Sequence, residues 1–177
     1  MKKIVLATLL ASGLMAAGNQ DYFGISAGKL KSSSSAQLNP GYVLVEDTDH
    51  NAYNLTLGHY YGENGRISAT YIYTNVPDTK NSDAITLGYD FILPLDKTFS
   101  VYAGPSVGYT RVKYDAGDSL SGIHYGAQAG GIVKIAKSIE LEAGYKYLFE
   151  TGSYTNIGGK IELDNIGLWY IGGNIRF

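Results

Sequence analysis

The stretch Trp169-Tyr170-Ile171-Gly172-Gly173-Asn174-Ile175-Arg176-Phe177 decides how this chain is read. Trp169, Ile171, Ile175 and Phe177 fall on one side of an extended strand. Tyr170, Asn174 and Arg176 fall on the other, with glycine at both central positions. An apolar residue at every second position is the signature of a strand with two unlike faces.

The same rhythm can be followed backward through seven more segments. The cleanest sets Phe99, Val101, Ala103, Pro105, Val107 and Tyr109 against Ser100, Tyr102, Gly104, Ser106, Gly108 and Thr110. Ile139, Leu141, Ala143, Tyr145, Tyr147 and Phe149 likewise oppose Glu140, Glu142, Gly144, Lys146 and Glu150. In all eight segments the apolar face falls on odd-numbered residues. Ile72, on the polar face, makes the third segment the weakest. No segment reads as a helix.

Soluble sandwiches also alternate, but they bury the apolar face and wet the polar one. Here the polar face is rich in Gly, Ser and Thr, small enough to pack inside a narrow cylinder. The apolar face is large and tipped with aromatics, as a lipid-facing wall requires. Glycine (23) and tyrosine (16) are abundant and proline is scarce (4). A mean hydropathy of −0.07 suits strands with only one apolar face.

Links alternate between short (residues 62–65, 93–98 and 136–138) and long (30–51, 75–82, 114–120 and 151–160). With both termini in the periplasm, the long links lie outside. The expected fold is therefore all-β: an eight-stranded antiparallel up-and-down transmembrane barrel. It closes by pairing the first strand with the last, because hydrocarbon cannot satisfy a free strand edge. Phe23, Tyr61, Phe91, Phe99, Trp169 and Phe177 are expected in a periplasmic aromatic girdle. Tyr53, Tyr73, Tyr109, Tyr125 and Tyr147 are expected near the outer interface.

The first residues fit that destination. Met1-Lys2-Lys3 precedes a short apolar run from Ile4 to Leu14, then Met15-Ala16-Ala17-Gly18. A charged start, a short apolar core and small residues describe a secretory signal peptide. Residues 1–18 are expected to be cleaved, leaving 19–177 as one barrel domain. The mature chain then carries 12 basic and 16 acidic side chains, net −4, which argues against a nucleic-acid partner. With no Cys, disulfides and lipoprotein anchoring are excluded.

The terminal strand, with Trp169, Ile171, Ile175 and the final Phe177, resembles the C-terminal signal by which the barrel-insertion machinery recognises outer-membrane proteins. Segment count, loop order and that Phe together resemble the small eight-stranded outer-membrane proteins, OmpX-like proteins and the membrane domain of OmpA-like proteins. The resemblance implies a monomer in the outer membrane of a Gram-negative bacterium, among outer-membrane lipid and lipopolysaccharide. It does not extend to a peptidoglycan-binding domain, since the sequence ends at Phe177.

Six charged side chains are expected inside: Asp90, Lys134, Glu140, Glu142, Lys146 and Arg176. A three-residue turn at 136–138 would set Lys134 opposite Glu140 and outward Ile135 opposite Ile139. Unpaired charges in a narrow interior cost several kcal/mol each, so an ion-paired cluster is expected, either a structural plug or a gate over a narrow solute path. These readings make a porin-like or structural protein. The alternative is an adhesin or binding module acting through the outer loops on an extracellular ligand. The first loop is the longest. Its Tyr42, Val43, Leu44 and Val45 read as a short strand in a projecting hairpin, or as strand extension, and are the candidate contacts. Of the histidines, His124 points inward near Ser121 and Glu150. No lipase, deacylase or protease motif surrounds it, and no enzyme, metal or cofactor is expected.

Overall fold

A computed structural model describes the backbone of residues 20–38, 42–74, 79–114, 119–151, 153–156 and 159–177. Side chains are described over 20–33, 49–74, 82–112, 121–151 and 165–177. The expected signal peptide lies outside the described residues, as do the side chains of Tyr42, Val43, Leu44 and Val45.

The strands are β1 (Asp21–Leu38), β2 (Tyr42–Tyr61), β3 (Gly65–Thr74), β4 (Thr79–Pro94), β5 (Phe99–Tyr114), β6 (Ser119–Ala136), β7 (Ile139–Glu150), β8 (Ser153–Asn156) and β9 (Gly159–Arg176). Each of β1 to β6 pairs antiparallel with the next, β7 pairs with β9, and β9 returns to β1. The short β8 pairs only with the outer end of β9. Eight staves thus close one antiparallel barrel.

The register fixes its dimensions. Ser33 pairs with Asn165, and the line continues through Phe149, Tyr125, Val107, Leu87, Ala69 and Leu57. It returns to β1 at Phe23, ten residues below its start, a shear of ten. With ladder and rise spacings of about 4.8 and 3.3 Å, that shear gives a strand tilt of about 41° and a radius of about 8 Å. Ten residues along such a strand climb about 25 Å, the height of an outer-membrane apolar band.

Alternation is kept around the whole band. Ile25, Leu55, Ile67, Leu87, Val107, Ile123, Leu141 and Ile171 are exposed on the outside. Even-numbered Ser68, Thr86, Ser106, Gln128 and Lys146 are buried. Ile72, the residue out of pattern, packs inside with Ala52 and Leu168.

Two expectations are corrected. The strands run well past the expected link boundaries: β1 and β2 stay paired up to Leu38 and Tyr42, so most of the expected loop 30–51 is ladder. Tyr42, Val43, Leu44 and Val45 belong to the backbone of this one continuous strand. Above the apolar band both faces of a strand meet water, so alternation fades while backbone pairing continues. Trp169 is not in the periplasmic girdle. It lies eight residues up β9 from Phe177, a climb of about 20 Å, and so sits on the outer side with Tyr53 and Tyr147.

Candidate functional site: the ion-paired interior

Arg66 is the hub of the interior. It follows the short turn between β2 and β3, where Gly62 takes φ 64°, a conformation that favours glycine. Even parity points Arg66 inward, and its side chain is 2% exposed. Its Nε donates to Asp90 Oδ2 at 2.8 Å, directly across the β3–β4 ladder. Its two terminal nitrogens donate to the two Glu142 oxygens at 2.7 and 3.1 Å, a fork that matches the carboxylate. The guanidinium also lies over the Tyr102 ring, 4.6 Å from its centroid, with Tyr22 and Tyr60 close by.

The two carboxylates are shared further. Glu142 accepts from Asn174 Nδ2 at 2.8 Å and from the Tyr170 hydroxyl at 3.1 Å. Asp90 accepts from Gln128, which in turn accepts from Lys146. Nearer the periplasmic mouth, Glu140 accepts from the Tyr60 hydroxyl at 2.7 Å and from Arg176 at 3.2 Å. Arg176 stacks over Tyr60 at 4.3 Å. Arg66 and Lys146 therefore balance Asp90 and Glu142 within one hydrogen-bonded network, and Arg176 balances Glu140 in a second group that meets the first at the Tyr60 ring.

Space for the tyrosines comes from glycine. A Cβ at Gly144 would stand 2.4 Å from the Tyr102 hydroxyl and 2.8 Å from the Tyr170 ring. Both rings cross the bore only because that wall carries no side chain.

The structure gathers five of the six sequence candidates: Asp90, Glu140, Glu142, Lys146 and Arg176. Lys134 does face Glu140 in the β6–β7 register, but a bulge follows, so Ala136 rather than Ile135 opposes Ile139. The Lys134 side chain is exposed at the mouth, and Arg176 and Tyr60 take the Glu140 carboxylate. Arg66, the central cation, was missing from the sequence candidates. Its signal was available: even parity, one residue before a segment read as starting at Ile67. The outward candidates Trp169, Ile171, Ile175 and Phe177 are all exposed on the lipid-facing side of β9.

A second polar layer lies toward the outer end. His124 is buried between Thr86, 2.9 Å from Nε2, and Thr110, 2.9 Å from Nδ1. Thr110 gives its one proton to Glu150 Oε1 at 2.6 Å, so its oxygen accepts from His124 Nδ1–H. With a neutral ring, Nε2 accepts from the Thr86 hydroxyl. Ser121 lies on the opposite, exposed face and takes no part. Among the described residues, no group of three or more His, Cys, Asp or Glu side chains converges as a metal ion requires.

Among the described residues the interior is closely filled beside Arg66 and beside His124. A cavity of about 570 Å³ opens at the periplasmic mouth around Tyr60, Lys134, Glu140 and Arg176. Two internal voids, beside the Arg66 cluster and beside His124, hold about 20 Å³ each. That is room for about one water apiece.

A closed, eight-stave, sheared barrel with an apolar outside and a packed polar inside is the fold of the small outer-membrane β-barrel proteins. No family model matches the sequence. No curated protein matches it. Solved structures do. Neisserial surface protein A shares 16% identity at a TM-score of 0.65, over 88% of this chain and 97% of that one. Outer membrane protein H of Pseudomonas aeruginosa shares 24% identity at 0.57, over 89% and 99%. The N-terminal β-barrel domain of Pseudomonas aeruginosa OprF shares 10% identity at 0.59, over 91% and 100%. These likenesses establish the fold.

Proposed function

We propose that this chain is an integral outer-membrane protein of a Gram-negative bacterium, a monomeric barrel with a plugged interior that acts as a structural scaffold. In this reading residues 1–18 direct export and are removed. The insertion machinery reads the last strand through Trp169, Ile171, Ile175 and Phe177. The interior assembly of Asp90, Glu140, Glu142, Lys146 and Arg176, joined by Arg66, is the plug.

The observation that carries this is the filled bore. Arg66 and the tyrosines around it close the periplasmic half, and the voids beside the Arg66 cluster and beside His124 hold about 20 Å³ each. Planar-bilayer recording of the refolded mature chain tests it. Silence is expected once folding is confirmed by a heat-dependent shift in gel migration. Reproducible openings would replace the plug with a porin-like path through the same cluster.

The outer hairpin favours a second role on the same scaffold. β1 and β2 remain paired for nine residues beyond Lys29. Paired strands at the barrel tilt would carry that hairpin roughly 20 Å above the band. Such a hairpin, with Tyr42, Val43, Leu44 and Val45 on β2, suits contact with an extracellular ligand. Replacing residues 31–50 should abolish surface binding and leave folding intact. Binding that survives the replacement would remove this role.

A further inference from the structure

Lipid-facing strand positions normally carry no charge, yet β1 sends two lysines outward at successive odd positions. Lys29 and Lys31 are both exposed. Their height follows from the barrel geometry. Lys29 stands eight residues above Asp21, whose carbonyl accepts from the Phe177 amide at the periplasmic edge. At the barrel tilt, eight and ten residues climb about 20 and 25 Å. The two ammonium groups therefore straddle the outer boundary of the apolar band, the level of lipid headgroup phosphates.

The neighbouring wall complements them. Lys29 pairs with Trp169 and Lys31 with Gly167 on β9. Trp169 is 61% exposed and packs against Tyr145 of β7, with ring centroids 4.5 Å apart and the planes tilted by 39°. A Cβ at Gly167 would stand 2.4 Å from the Tyr145 hydroxyl. Glycine there lets the Tyr145 ring lie across the wall, bringing its hydroxyl to the strand position that faces Lys31. Lys31 also meets Asp49 at 3.8 Å, but both side chains are more than half exposed. A long, solvated pair of this kind contributes little and is readily exchanged for a better anion.

We propose that Lys29, Lys31, Trp169, Tyr145 and Gly167 form a binding site on the outside of the barrel for a phosphorylated glycolipid of the outer leaflet. The two lysines and the Tyr145 hydroxyl take the phosphate. The Trp169–Tyr145 pair, just below the lysines, offers an apolar face to the start of the acyl chains. Two cations match a doubly phosphorylated headgroup, whereas an ordinary phospholipid offers a single phosphate. The site rests on the outer-membrane reading above.

Trp169 is the only tryptophan in the chain, so its emission reports on this site alone. The mature chain would be refolded into phosphatidylcholine vesicles and titrated with bis-phosphorylated lipid A. Parallel titrations would use dephosphorylated lipid A, phosphatidylglycerol and inorganic phosphate. A saturable change with bis-phosphorylated lipid A alone is expected. The Lys29→Gln, Lys31→Gln double variant should weaken it about 30-fold, the factor two membrane-facing lysines supply. An equal response to phosphatidylglycerol would overturn the glycolipid assignment, leaving a site for charge only. A response to inorganic phosphate at equal strength would overturn the lipid assignment. Insertion with no change in emission would overturn the site and leave the membrane reading standing. Failure of the refolded chain to enter vesicles would overturn both.

Discussion

Arg66 donates three hydrogen bonds to two buried carboxylates. Removing it leaves Asp90 and Glu142 as buried charges without their main cation. Arg66→Ala is therefore expected to lower unfolding stability in urea by about 3–5 kcal/mol. Arg66→Met with Glu142→Gln and Asp90→Asn should recover part of that loss, because it removes the charges along with their partner. A loss below about 1 kcal/mol for Arg66→Ala would show that water enters and solvates the cluster. The sequence made Asp90, Glu142 and Lys146 legible because strict parity sent them inward. Arg66 is less legible because apolar periodicity begins only at Ile67 and turn residues precede it. Lys134 erred the other way: parity pointed it inward, but at the mouth the bore opens to water and a bulge breaks the pattern.

At the level of elements, alternation located all eight staves but not their outer ends. It reports the contrast between lipid and interior, and that contrast stops at the edge of the apolar band. Turn chemistry is readable where a side chain must complete it. Between β4 and β5, Asp96 accepts from the backbone N–H groups of Thr98 and Phe99 at 2.6 and 2.7 Å. These two hydrogen bonds hold its carboxyl below the usual aspartate range. A carboxyl depressed by folding stabilises the turn at every pH above its unfolded value. That contribution fades as pH falls through the lower folded value. The Thr98 and Phe99 amide shifts, followed by NMR in micelles, should titrate with a midpoint below the unperturbed value of about 3.9. Asp96→Asn should abolish the transition. A midpoint at or above the ordinary value would mean that the turn is not held by the carboxylate.

For the whole molecule, shear sets where each side chain sits relative to the bilayer, and counting along strands alone cannot supply it. Trp169 illustrates this: as part of the terminal motif it was placed beside Phe177, yet the tilted strand lifts it about 20 Å. Quenching by lipids brominated at graded depths should place its emission about 7 Å from the bilayer centre. Maximal quenching at the headgroup edge would contradict the register.

The same cylinder decides between plug and gate. In the proposed plug the bore is closed twice. Arg66 with Tyr22, Tyr60, Ile92, Tyr102 and Ile132 blocks the periplasmic half. Ala52, Ile72 and Leu168, backed by Leu30, Ala84 and Tyr170, block the outer half. A gate opens when one element moves, whereas two seals in series stay shut until both are breached. Arg66→Ala alone should thus remain silent in planar bilayers despite its lost stability. Arg66→Ala combined with Leu168→Gly should conduct. The remaining Asp90, Glu140 and Glu142 would outnumber Lys146 and Arg176 in that bore, so its current should favour cations. Conductance in Arg66→Ala alone would identify the ion-paired cluster as a single gate, and the apolar outer layer would then be no barrier to ions.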